Sequence, residues 1–198
     1  MEKAMSVQLQ GYSFGATKLA TSPVTLDDLH RLEQTVLWSD DDRRWLRRAG
    51  DLLVPQTEAI LDVWYGFVGS HGQLLETFHG ADGAPDAAYL TAVRGRFGRW
   101  IADLCHRDWD QAWLDQQHEI GLRHTRAKKN VTDCVRSTSA EVPMRYLVTL
   151  IVPISVTVEP FLRGVAAPDD DVPAMMAAWF KAVTLTVALW TEPYAAGW

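Results

Sequence analysis

Residues 109–130 constrain the fold more than any other stretch: Trp-Asp-Gln-Ala-Trp-Leu-Asp-Gln-Gln-His-Glu-Ile-Gly-Leu-Arg-His-Thr-Arg-Ala-Lys-Lys-Asn. They read as one helix. Asp108 or Asp110 can cap its start, and Lys128 and Lys129 suit the negative end of its dipole. Glu119 and Arg123 stand four apart in the favourable order. Helical spacing puts Trp113, Gln117, Ile120 and His124 on one face. An imidazole therefore sits on a largely apolar stripe. In its neutral form it can offer a lone pair to a metal while its other nitrogen donates to a nearby carbonyl.

A lone histidine on such a face is ordinarily a core residue with its hydrogen bonds satisfied. No second ligand stands at zinc spacing, and His118, six residues earlier, points elsewhere. Haem needs only one protein ligand, because the porphyrin supplies the other four nitrogens. That reading asks for a large apolar pocket and for groups that meet propionates.

The rest of the chain punctuates as helices. Thr25-Leu-Asp-Asp is a capping-box-like start, followed by Leu29, Leu32 and Val36. Ser39-Asp-Asp-Asp opens a second helix with Leu46, Ala49 and Leu53 on its apolar side. Pro55 begins or kinks a third, whose Ile60, Leu61, Trp64, Tyr65 and Val68 make a wide apolar face. Asp86 caps the next, where Tyr89, Val93, Phe97, Trp100 and Leu104 recur at helical spacing among Arg94, Arg96 and Arg99. Residues 138–143 read as a loop. Residues 144–162 are ambiguous: Leu-Val-Thr-Leu-Ile-Val scores as a strand, yet the length allows a buried helix kinked at Pro153. Pro168-Asp-Asp-Asp opens a last helix that Pro193 ends. Both late segments are apolar nearly all round, which places each in a core or in an interface. The signals give about seven or eight helices and no confident strand, an all-α domain of globin-like size.

The 198 residues suit one domain with a sizeable core. Nine tryptophans suit a core that encloses something large and flat. The net charge of −6 argues against nucleic acid as a partner. No apolar signal region opens the chain, and the uncharged, mostly apolar run 146–158 is short for a bilayer. A cytoplasmic protein with no membrane span is the expectation. Cys105 and Cys134, with no CxxC spacing, are expected as free buried thiols.

Several stretches together resemble the protoglobins, single-domain relatives of the sensor domain in globin-coupled sensors. They are Ile-Leu-Asp-Val-Trp-Tyr-Gly-Phe-Val-Gly-Ser-His (60–71), Arg-Phe-Gly-Arg-Trp-Ile (96–101), Trp-Leu-Asp-Gln-Gln-His-Glu-Ile-Gly-Leu-Arg-His (113–124), Lys-Lys-Asn (128–130), Arg-Tyr-Leu-Val (145–148) and Ala-Trp-Phe-Lys-Ala (178–182). Gly-Tyr-Ser-Phe-Gly (11–15) is similar to the family's N-terminal segment. The resemblance implies a globin fold, a 3-over-3 helical sandwich over residues 25–198. An extra N-terminal helix lies at about 25–37, and a leader, 1–24, covers the haem near Tyr12. It resolves 144–162 as helix. It implies haem b (iron protoporphyrin IX) with His124 as the proximal iron ligand. On the distal side it places Tyr65 as the hydrogen-bond donor, Trp64 beside it, Val93 where many globins keep a histidine, and Phe97 against the porphyrin. Arg96 falls where the family meets a propionate. The basic run Arg123, Arg126, Lys128 and Lys129 reads instead as a helix terminus. Two positions depart from the family: Thr125 replaces a second His, and Leu150 replaces an aromatic, which should open the distal pocket or a gas path. The 141–143 region also looks one residue longer.

The function that the resemblance implies is reversible binding of O₂, CO or NO at a His-ligated iron with an open distal position. Pattern and resemblance both point to a homodimer formed by the last two helices. The alternatives are a haem enzyme acting on NO, nitrite or peroxide or transferring carbenes, a gas sensor working through a separate partner, and a haem-free helical dimer.

Overall fold

Eight α-helices form within residues 9–195, which the computed structural model describes. They are α1 (Leu26–Thr35), α2 (Asp40–Leu53), α3 (Thr57–Gly69), the single turn α4 (Gly72–Leu75), α5 (Ala87–His106), α6 (Gln111–Leu122), α7 (Met144–Val165) and α8 (Val172–Ala195). No strand forms among the described residues; one isolated bridge joins His79 and Pro85. The first eight residues of the expected leader and the last three residues of the chain lie outside the described residues.

The caps sit where side-chain oxygens can take the first free N–H groups. Thr25 accepts from the Asp28 N–H, and the Asp28 carboxylate accepts from the Thr25 N–H in return. Ser39 and Asp42 repeat the arrangement at α2. Asp86 and Asp110 cap α5 and α6. Each such cap stabilises its helix by about 1 kcal/mol. Of the two candidates at α6, Asp110 is the cap, while Asp108 pairs with Arg47 at 2.8 Å.

The ambiguous 144–162 segment is helical, and α7 runs through both Pro153 and Pro160. The chain keeps its course because α7 packs on α8 along its length, and tertiary packing overrides the local β-preference. Pro193 likewise does not end α8, which reaches Ala195. Its ring forfeits one N–H and crowds the carbonyl four residues back, but Tyr194 beyond it is anchored by hydrogen bonds to the His124 and Val142 carbonyls. By length and composition α7 and α8 would each cross a bilayer, although the uncharged run alone is shorter. In this fold they pack on each other and on α2.

At the centre α8 packs against α2, α6 and α7, and α5 lies across α2 and α3. Trp113, Trp179, Leu46, Leu53, Ile101 and Leu162 are fully enclosed there. The α2–α5 crossing is close at Gly50: a Cβ there would stand 2.4 Å from the Cys105 Cβ. Lys181 of α8 meets the Asp42 carboxylate at 2.8 Å, and Arg48 grips Asp170 with two hydrogen bonds. Of the two free cysteines only Cys105 is buried. Cys134 is exposed, on a left-handed turn of φ 52° in the loop after α6.

Candidate functional site

Helix α6 stops at Leu122, short of the helix to Asn130 that the spacing suggests. The His124 carbonyl, which a continuing helix would offer to the Lys128 N–H, accepts instead from the Val142 N–H at 2.8 Å and from the Tyr194 hydroxyl at 3.1 Å. The turn tightens, with the His124 N–H bonded to the Gly121 carbonyl. His124 thus lies just beyond the helix end, on the stripe that spacing gives it. Its Nδ1 lies 2.8 Å from the Ile120 carbonyl, which makes that nitrogen the N–H donor and leaves Nε2 a bare lone pair. Burial pushes its pKa down to about 4, reinforced by Arg123 and Lys129 and opposed by the Ile120 bond. The ring is therefore neutral at physiological pH, as a metal ligand must be.

The Trp190 indole stacks on His124, with centroids 5.3 Å apart and planes 25° apart. Its Nε1 donates to Gln117 Oε1 at 3.0 Å. Close approach of α8 to α6 makes this stack reachable. A Cβ on Gly121 would lie 3.1 Å from the Trp190 Cα and carbonyl oxygen.

His124 faces a cavity, and the expected Trp64, Tyr65, Val93, Arg96 and Phe97 all line it. The cavity has a volume of about 230 Å³, where a single water needs ~10–15 Å³. Helix α3 supplies Trp64 and Tyr65, and α5 supplies Val93, Phe97 and Trp100. Phe97 stacks on Trp100 at 5.3 Å and leans on Trp64 at 5.6 Å, so the walls present flat aromatic surface. Leu150 lines the cavity beside Ile154 of α7. The Tyr65 hydroxyl has no hydrogen-bond partner among the described residues, and burial raises its pKa well above the ordinary value. Trp100 Nε1 is also without an acceptor among the described residues.

Along one edge the lining turns polar. The leader crosses here: the Tyr12 hydroxyl donates to Asp103 at 2.6 Å, and Arg123 donates to the Gly11 carbonyl at 2.6 Å and to Ser13 Oγ at 2.9 Å. Arg96 lines the cavity, with its guanidinium held by both oxygens of Asp133 at 2.8 and 2.6 Å and by the Gln10 carbonyl at 3.1 Å. The basic run does not act as one helix terminus, because the helix ends before it. Arg123 and Lys129 line the cavity, Lys128 pairs with Glu119 at 2.6 Å, and Arg126 pairs with Glu141 outside. Tyr89 also lines the cavity. The sequence pattern makes Tyr89 one more apolar-face residue and Lys129 part of a helix terminus, and it gives Asp133 and Trp190 no part in the site. Asp133 becomes legible only once the loop after α6 folds back on Arg96.

These residues fit a haem. One bare imidazole nitrogen faces an enclosed space with aromatic walls, a phenol without a partner stands in that space, and cations gather along one edge. Fold and site together define a globin-like all-helical protein with room for a planar cofactor. The Protoglobin family model matches residues 25–197, nearly the whole chain, and the chain belongs to that family. Membership implies a haem-binding globin. No curated protein matches it.

Proposed function

We propose that this protein binds O₂, CO and NO reversibly at a haem b held by His124. The observation that carries the reading is the bare Nε2 of a neutral imidazole, fixed in tautomer by the Ile120 carbonyl and in plane by Trp190. Haem iron, once bound, supplies an open coordination position for a diatomic gas. The chain's own residues do the rest. His124 donates its lone pair. Trp64, Phe97 and Trp100 exclude water and hold the porphyrin faces. Tyr65 offers a proton to whatever partial negative charge enters, which favours O₂ over the less polar CO. Because burial raises the Tyr65 pKa, the phenol stays a donor and is a poor base, which supports gas binding over acid–base peroxide chemistry.

We further propose a cytoplasmic homodimer paired through α7 and α8. Val148, Val152 and Val156 recur every four residues along α7 and are 49%, 60% and 64% exposed, with Phe180 of α8 also exposed.

Absorption spectra of the ferric, reduced and CO-treated protein test the haem site, beside a His124→Ala variant. A five-coordinate reduced form that shifts with CO, and that changes in the variant, supports the reading. Colourless protein that takes up no haemin after reconstitution overturns it.

A further inference from the structure

We propose that Arg94 is a positioning residue for the Tyr65 phenol: its guanidinium lies along one stripe of α3 and sets where the phenol ring stands in the cavity. The proposal rests on the gas-binding reading above.

Residues 58, 62 and 65 stand at i, i+4 and i+7 of α3 and share one face. Arg94 reaches across from α5 and meets all three. Its Nη2 donates to the Glu58 carbonyl at 3.0 Å, to Glu58 Oε2 at 2.8 Å and to Asp62 Oδ1 at 2.8 Å. Its guanidinium carbon lies 5.8 Å from the centroid of the Tyr65 ring, within cation–π range. Phe78 meets the same ring edge-on at 6.4 Å.

The register of the two helices is fixed one turn further along α5. A Cβ on Gly98 would stand 2.9 Å from Thr57 Cγ2 and 3.2 Å from Leu61 Cδ1, so α5 lies directly on α3 there. Arg94 and Gly98 are four apart and share a face of α5, so the close crossing delivers Arg94 to the stripe. The carboxylates of Glu58 and Asp62 are 82% and 75% exposed, the Arg94 side chain only 26%. Ion pairs so open to water add little to stability. Their consequence is geometric, because they hold the head of the cation from outside while its inner side meets the ring.

Tyr65 depends on such contacts. Its hydroxyl has no hydrogen-bond partner among the described residues, so packing on the ring is what sets the direction of the O–H. Burial raises the pKa of the phenol, and the Arg94 charge is foremost in opposing that rise. The cation therefore also makes the O–H a stronger donor.

The test compares the haem-loaded parent, Arg94→Met, Tyr65→Phe and the double variant. It measures O₂ release, CO release and the stretching band of bound CO, which reports the field at the ligand. Methionine keeps an apolar stem and removes the charge with its hydrogen bonds. Arg94→Met should release O₂ roughly two- to fivefold faster, as expected for a lost cation–π contact at a water-facing site, while CO release stays within about twofold of the parent. Its CO band should move toward the Tyr65→Phe position. In the Tyr65→Phe background the same substitution should change neither the release rates nor the band, because the group that Arg94 acts through is gone. A band that keeps its parental position, or an acceleration that persists in the double variant, overturns the positioning role. Tyr65→Phe without effect on O₂ release overturns the donor reading and this proposal with it, and leaves haem binding standing. A parent that takes up no haem overturns all three. Should Arg94→Met not fold, Arg94→Gln decides by the same comparison.

Discussion

The two walls of the cavity are built on opposite plans. On the α6–α8 side the polar atoms beside the imidazole are already tied. His124 Nδ1 meets Ile120, the His124 carbonyl takes two donors, the Trp190 indole meets Gln117, and Arg123 meets Glu119. On the α3–α5 side the phenols of Tyr65 and Tyr89 and the Trp100 indole have no partners among the described residues. Hydrogen bonds made in the folded chain fix a direction before any ligand arrives. Buried donors left unmade carry a desolvation cost of about 1–3 kcal/mol each, recovered when a ligand accepts from them. One wall therefore aims a lone pair, and the other keeps its donors for what enters.

Acid tests this contrast with the largest effect. The folded His124 pKa is about 4, below the ordinary 6.5 of an unfolded chain. Between those values the unfolded state holds the extra proton, so stability is present above about pH 6.5 and is lost as pH falls toward 4. At about 1.4 kcal/mol per unit, the loss approaches 3 kcal/mol. Tyr65 and Tyr89 titrate far above this window and contribute nothing to it. Denaturant melts of the haem-free protein at pH 7 and 4.5 should show the loss, and His124→Ala should lose less than the parent. Identical pH dependence in the two proteins would remove the buried neutral imidazole as the cause.

The opposite wall is probed by Tyr65→Phe. Deleting a hydroxyl that meets a polar ligand costs about 1.5 kcal/mol, or roughly tenfold in O₂ release. CO, which presents little negative charge, should leave at nearly its old rate. Stopped-flow release of both gases measures the ratio. Equal acceleration of the two would mean that Tyr65 acts by shape, and the wall would no longer count as a set of waiting donors.

Much of the frame was legible because it is local. Thr25, Ser39, Asp86 and Asp110 cap within three residues of themselves, and the apolar rows of α2, α3 and α5 repeat at helical spacing. Residues 144–162 were not decidable locally, since β-branched runs fit a buried strand or helix equally and packing against α8 decides. The end of α6 was hidden for a similar reason: the groups that take the His124 carbonyl, Val142 and Tyr194, are 18 and 70 residues away. Of the site residues, all those expected from the family pattern line one cavity. Lys129 was not legible, because its burial depends on the 137–139 loop closing over it. Arg96 is expected to meet a propionate, yet Asp133, 37 residues on, engages its guanidinium.

The smallest effect concerns how tightly the tied wall is built. Gly121→Ala adds one methyl group 3.1 Å from the Trp190 Cα, the Trp190 carbonyl oxygen and the Pro193 ring. Two of those three atoms are backbone of α8, so the helix end has to retreat by a few tenths of an ångström. Alanine favours a helix over glycine by roughly 1 kcal/mol, and overpacking costs about 1–3 kcal/mol, so the net loss is near 1 kcal/mol. For a chain of this size that lowers Tm by about 2–4 °C. The retreat carries Trp190 off the His124 ring and loosens its bond to Gln117, both of which depend on where that turn of α8 sits. The iron–histidine stretching band of the reduced protein should therefore shift, while the ratio of O₂ to CO release, set by Tyr65 across the cavity, should not. A shifted release ratio with an unmoved histidine band would reverse the roles assigned to the two walls. No change in Tm and none in the band would show that the α6–α8 contact has slack, and that the imidazole is aimed by the Ile120 carbonyl alone.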